Sequence, residues 1–123
     1  MLTLTKACLA MIFVIHAGPS LPLFFPKLIY NIYGLDPSGE IGLLLRHRAC
    51  LFLIICIAAL FAIYNPYYLR ISLVIFSVSI LCFLMLYFCA GMPEGSLRKI
   101  ALADLLCVPL LFYLFYIVCT QEG

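Results

Sequence analysis

The sequence predicts an all-α integral membrane domain: a four-helix bundle of up-down-up-down topology, with a short interfacial helix in its first loop. Three observations carry this prediction. Of the 123 residues, 67% are hydrophobic and only 10% charged, with a mean hydropathy of +1.26, whereas soluble domains carry about a quarter charged residues. The apolar residues fall into four runs, near 7–25, 43–64, 71–90 and 100–119, each close to the ~20 residues a helix needs to cross a bilayer. Short links join the last three runs, which makes consecutive helices antiparallel neighbours within one transmembrane domain spanning 1–123.

The first run opens after Lys6 and continues through His16 to Phe25. Ala7 to Ile15 followed by Ala17-Gly18 has the outline of a signal peptide. The apolar character persists through Leu21 to Phe25, which favours an uncleaved span. Pro19, Pro22 and Pro26 each remove a backbone donor and obstruct the preceding turn, so the end of this span is expected to be kinked or partly unwound.

The connection from Lys27 to Leu45 is the longest. Leu28 to Tyr33, closed by Gly34, fits a short helix with its tyrosines at headgroup depth. Asp36-Pro37 reads as an N-cap followed by proline at the first helical position, and a helix from there to Tyr64 would exceed the ~30 Å hydrocarbon layer. Asn65-Pro66 initiates a tight turn within a tyrosine-rich segment. The third span, Ile71 to Ala90, is apolar apart from small hydroxyl residues that mark close helix packing. Gly91 to Ser96 breaks the chain, with Ser96 a candidate N-cap, and the fourth span carries Asp104 and Pro109.

Charge supplies orientation and exclusions. Lys27, Arg46, Arg48, Arg98 and Lys99 fall at one end of the bundle, against Lys6 and Arg70 at the other. The positive-inside rule then puts loops 26–48 and 91–99 in the cytoplasm and both termini on the opposite side. A net charge of +2, spread over several segments, gives no nucleic-acid footprint. The seven cysteines lie within apolar runs and none is spaced C-x-x-C, so they read as small hydrophobes and no metal or other cofactor is implied. Cys8 and Cys119 share one end, where a disulfide and two packed thiols are both compatible with the pattern.

The residues that need an explanation are His16, Arg46, His47, Arg48, Arg98, Lys99 and Asp104. Asp104 and Arg48 enter their spans from the same side to comparable depth, which predicts a structural ion pair clasping the second span to the fourth. Arg46 and Arg48 are separated by roughly 200° around a helix, so only one can face the bundle. The expectation gives Arg48 to Asp104 and leaves Arg46 for lipid headgroups or the first loop. Arg46 or Arg48 with Arg98 and Lys99 would also form an anionic-headgroup site. His16 fits a core histidine bonded to another helix, or a proton or substrate contact with Asp104. Ligation of a metal or haem by His16 and His47 is disfavoured by their different depths and by the lack of a carboxylate at motif spacing.

The pattern resembles a family of small bacterial four-span membrane proteins. The likeness lies in Ile15-His16, Tyr33-Gly34, Leu45-Arg46-His47-Arg48-Ala49-Cys50-Leu51-Phe52 and Ala103-Asp104, with Arg-His-Arg-Ala its most specific element. It covers nearly the whole chain and implies a bundle in the bacterial inner membrane with this polar set. Many members carry the label phosphopantetheine adenylyltransferase. Such enzymes are soluble α/β proteins with a His-x-Gly-His motif, whereas here His16-Ala17-Gly18 leads into Pro19, and no strand and helix alternation exists to build a nucleotide-binding sheet.

Two functional classes follow. The first is a non-enzymatic accessory or assembly subunit, held together by its clasp and docked on a larger membrane partner or a second copy of itself. The second is a lipid- or small-molecule-binding protein or carrier, with His16, Arg48 and Asp104 lining a polar cavity. A membrane-embedded enzyme would need an activated nucleophile or metal that the sequence does not offer, so no catalytic residue is assigned.

Overall fold

Each apolar run folds as one long helix, because backbone in lipid has no water to bond and must satisfy its own donors and acceptors. The computed structural model describes residues 2–121. The long helices are α1 (Leu2–Ser20), α3 (Gly39–Tyr64), α4 (Leu69–Cys89) and α5 (Ser96–Gln121), and the short α2 (Leu28–Tyr33) lies in the first connection. All four long helices have the length and composition to cross a membrane, and no strand occurs among the described residues. The protein is an all-α, integral membrane helical bundle. At 26 residues each, α3 and α5 reach ~39 Å, so a turn or more of each tilts or protrudes beyond the hydrocarbon.

Specific pairings define the register. The Cys56 thiol donates to the Phe13 carbonyl at 3.6 Å and the His16 ring stands 5.7 Å from that of Phe52, so α1 and α3 run antiparallel. On α4, Phe83 lies under Arg48 while Ser72 donates to the Ala58 carbonyl at 2.9 Å, which makes α3 and α4 antiparallel as well. Helix α5 packs on α4 and closes the ring against α1. Ile12, Ile55, Phe76, Ile80, Cys107 and Leu114 fill the centre. The outward residues, such as Val14, Leu44, Val78 and Leu106, are apolar and exposed. In water that surface would be a liability; in a bilayer it faces its own solvent.

Local chemistry explains where the elements stop. Helix α1 runs through Pro19, then tightens into a single 3-10 turn at Leu21–Leu23. Helix α2 ends on Gly34 at φ 68°, whose N–H bonds the Tyr30 carbonyl. Helix α3 begins later than the Asp36-Pro37 reading expects: its N-cap is Ser38. Asp36 turns its carboxylate back onto the Ser38 N–H at 2.9 Å and closes a turn before the helix can start. Buried Gly42 then sits where a Cβ would collide with the Pro37 carbonyl, so glycine lets the connection fold onto the helix. Asn65 caps the next turn by accepting from the Tyr67 N–H at 3.0 Å. After α4, Met92 N–H bonds Tyr87 O and Gly91 N–H bonds Phe88 O, a Schellman ending with Gly91 at φ 85°. Tyr87 reinforces it by donating to the Pro93 carbonyl at 3.0 Å. Ser96 is the first residue of α5 instead of its cap.

Candidate functional site

The antiparallel register brings one end of every long helix to the same side of the bundle. Arg48 and Asp104 lie roughly 13 Å and 12 Å from the starts of their helices, at 1.5 Å per residue. His16 approaches from the last turns of α1 and Phe83 from the last third of α4. Groups from four helices therefore meet at one level.

At that level Asp104 contacts His16, whose Nε2 is 3.5 Å from the Asp104 Oδ1. Both residues are buried, at 1% and 3% exposure. The other ring nitrogen, Nδ1, lies 2.8 Å from the Ile12 carbonyl oxygen. A carbonyl can only accept, so Nδ1 carries a hydrogen. Among the described residues Nε2 makes no hydrogen bond, so the 3.5 Å approach of Asp104 is a charge contact and not a hydrogen bond.

Arg48 is half-buried and takes a different partner from the expected one. Its guanidinium lies over the Phe83 ring at 4.5 Å and over the Phe52 ring at 5.4 Å, a cation–π arrangement that strengthens as water is removed. Among the described residues no carboxylate forms an ion pair with Arg48, and Asp104 is held by His16 instead. Phe52 is in contact with both His16 and Arg48. Tyr33 at the end of α2 is within the field of Arg48: burial pushes its phenol up, and the cation partly opposes the shift.

Arg48 and Asp104 nevertheless share a cavity. A groove of about 580 Å³ opens between α3 and α4. Its walls are apolar, including Leu51, Ile55, Val78 and Phe83, and among the described residues Arg48 and Asp104 are its only charged lining groups. From Leu86 to Val74 it follows α4 for ~18 Å at 1.5 Å per residue. Ile54, Val74 and Val78 on its rim are also exposed on the outer surface of the bundle, so the groove opens sideways rather than along the bundle axis.

The remaining candidates lie elsewhere. Arg46 and His47 are exposed on α3, and Lys99 is exposed on the first turn of α5. Arg98 pairs with Glu94 at 3.8 Å, both largely solvent-facing, a contact of little energetic weight. All seven cysteines are free thiols, Cys8 buried and Cys119 exposed. Among the described residues no three His, Cys, Asp or Glu side chains gather as a metal site.

The sequence places Phe52 on the helix face of Arg48 but assigns no role to Phe52 or Phe83. Phe52 follows Arg48 by four residues, the spacing that stacks side chains on one helix face, so this half of the aromatic seat was readable. Phe83 was not, because its place depends on how α4 is rotated against α3. No family model matches this chain, and no curated protein or solved structure matches it either.

Proposed function

We propose that this protein binds an anionic lipid from the surrounding bilayer in the α3–α4 groove, with the charged end of the lipid at Arg48 and an acyl chain along the apolar wall. The observation that carries the reading is a cation with no carboxylate ion-paired to it among the described residues, set at one end of a largely apolar groove that opens sideways. A groove of that composition suits an amphiphile, since apolar walls favour the chain while a partly desolvated guanidinium favours phosphate. Packing on a partner subunit would need no cation beneath an apolar wall, so the groove favours lipid binding over the accessory role. The five basic groups at this end of the bundle support a cytoplasmic orientation for it, which would place the groove mouth near the anionic leaflet.

The test is native mass spectrometry of the protein released from mixed micelles of phosphatidylglycerol and phosphatidylcholine. The wild type should retain phosphatidylglycerol preferentially, and Arg48→Met should lose that preference while keeping the groove's shape. Equal retention of the two lipids by the wild type, or an unchanged preference in Arg48→Met, would overturn the assignment.

A further inference from the structure

We infer that His16 and Asp104 form a proton-binding site coupled to the groove, so that the anionic lipid and a proton are bound together. The inference rests on the lipid-binding reading above and adds to it a second ligand, the proton, with its own residues.

His16 Nδ1 donates to the Ile12 carbonyl, so the hydrogen on that nitrogen is committed. If the ring is neutral, Nε2 presents a lone pair to Asp104 Oδ1 at 3.5 Å. Two lone pairs facing each other at 1% and 5% side-chain exposure repel, and no other donor reaches Nε2 among the described residues. One further proton shared by the two atoms would remove that repulsion, either on Nε2 with the carboxylate ionised or on the carboxyl with the imidazole neutral. In both forms the dyad is neutral as a unit and holds one exchangeable proton.

The second step is the charge of the groove. With the dyad protonated, Arg48 is the uncompensated charge, and the site carries +1. When the proton leaves to water, His16 is neutral, still bonded through Nδ1, and Asp104 is an anion facing the cavity that Arg48 also lines. The site then carries no net charge. Asp104 acquires a reason to turn from His16 to Arg48, because an isolated carboxylate at this depth is expensive. That turn would form the pair expected from the sequence, and it would displace the lipid phosphate from the guanidinium. The two arrangements, Asp104 on His16 and Asp104 on Arg48, are alternative states of one carboxylate.

The groups around Asp104 leave few competing explanations. Helix α1 presents His16, α3 presents Arg48, α4 contributes the Ser79 hydroxyl and Cys82 thiol of the groove lining, and α5 itself carries buried Cys107 one turn onward. Tyr33 of α2 is within the field of Arg48. Of these, only the His16–Asp104 dyad combines a fixed hydrogen on one nitrogen with an unsatisfied contact on the other.

The sign of the coupling follows. Protonation and anion binding favour the same state, so lowering the pH tightens binding, and by reciprocity binding of the anion takes up a proton. One linked proton gives about a tenfold change in affinity per pH unit once the dyad titrates. The experiment is a titration of the full-length protein in neutral detergent micelles with pyrene-labelled phosphatidylglycerol, whose phosphate stays ionised from pH 5 to 9, and with pyrene-labelled phosphatidylcholine as control. Affinity for the phosphatidylglycerol should fall as the pH is raised, by up to about tenfold per pH unit. In weakly buffered solution at the same pH the binding should take up close to one proton per lipid. Asp104→Asn, which can donate from its amide to His16 Nε2, should bind tightly at every pH with no proton uptake. A wild type that prefers phosphatidylglycerol with a flat pH profile and no proton uptake would overturn the coupling and leave lipid binding standing. A pH dependence unchanged in Asp104→Asn would also overturn it. Absence of any preference for phosphatidylglycerol at any pH would overturn both readings together.

Discussion

If His16 and Arg48 are alternative partners for one buried carboxylate, as inferred above, removing both should cost far more than the sum of removing each. In His16→Leu, Asp104 loses its partner at 3.5 Å, and Arg48 can replace it only by leaving the rings of Phe52 and Phe83. Abandoning a desolvated cation–π contact costs about 1 kcal/mol. In Arg48→Met the same contact is lost while the dyad remains, again about 1 kcal/mol. In the double variant Asp104 has neither partner. Leaving one member of a buried pair without its partner costs ~3–5 kcal/mol, about 4 kcal/mol at the centre of that range. The double variant should therefore lose about 5 kcal/mol where additivity gives about 2, a coupling of ~3 kcal/mol. The assay is a double-mutant cycle on reversible unfolding in mixed micelles of neutral and denaturing detergent. Additivity within about 0.5 kcal/mol would refute the idea that the two groups share Asp104. So would a His16→Leu variant that alone lost the full 4 kcal/mol, since Arg48 would then be unable to reach the carboxylate.

Three further outcomes are expected. Ser72→Ala removes a buried bond from α4 to the Ala58 carbonyl and should destabilise the bundle in the same unfolding assay by about 0.6 kcal/mol, at most about 1.7; no loss would mean that the Ala58 carbonyl finds another donor. Gly42→Ala should destabilise by up to about 2 kcal/mol, because its Cβ meets backbone, the Pro37 carbonyl, which puts the cost in the upper part of the ~1–3 kcal/mol range for overpacking, against ~1 kcal/mol gained in helix propensity. Stabilisation by Gly42→Ala in that assay would contradict the close approach of the connection to α3. The Ser38 N–H holds the exposed Asp36 carboxyl below its ordinary value of 3.8. The bond is therefore fully present above that value and lost as the pH falls through the lower one. Followed by NMR in micelles, the Ser38 amide resonance should titrate with a midpoint below 3.8, and a midpoint at or above it would place Asp36 elsewhere.

The fold and the site differ in how much of them the amino acids declare. Four apolar runs with short links leave little freedom: lipid forces each run into a helix, and tight turns such as Asn65-Pro66 force neighbours to run antiparallel. Depth along the bilayer is equally readable, since counting residues puts Arg48 and Asp104 at one level. What counting does not reveal is rotation. The surfaces of these helices are apolar nearly all round, so no amphipathic stripe announces which side of α1, α4 or α5 turns inward. The partner of Asp104 is decided by that rotation, and His16 occupies the place that depth alone assigned equally well to Arg48. The cap of α3 was missed for a more local reason, the turn that Asp36 makes with Ser38, which leaves the same residues in sequence with a different start to the helix.

The arrangement at this level also bears on why so costly a set of groups is present. A clasp between two helices needs one donor and one acceptor, and a single pair would leave nothing over. Here α1 supplies an imidazole, α3 a guanidinium and α5 a carboxylate, while Phe52 and Phe83 hold the guanidinium in place without neutralising it. Aromatic rings stabilise a cation through their faces yet leave its N–H donors unspent, whereas a carboxylate would occupy them. A guanidinium seated this way remains free to accept an anion. On the lipid-binding reading proposed above, the surplus of one cation over one carboxylate in an apolar groove is the charge that the anion would meet, whereas a purely structural clasp would use a balanced pair.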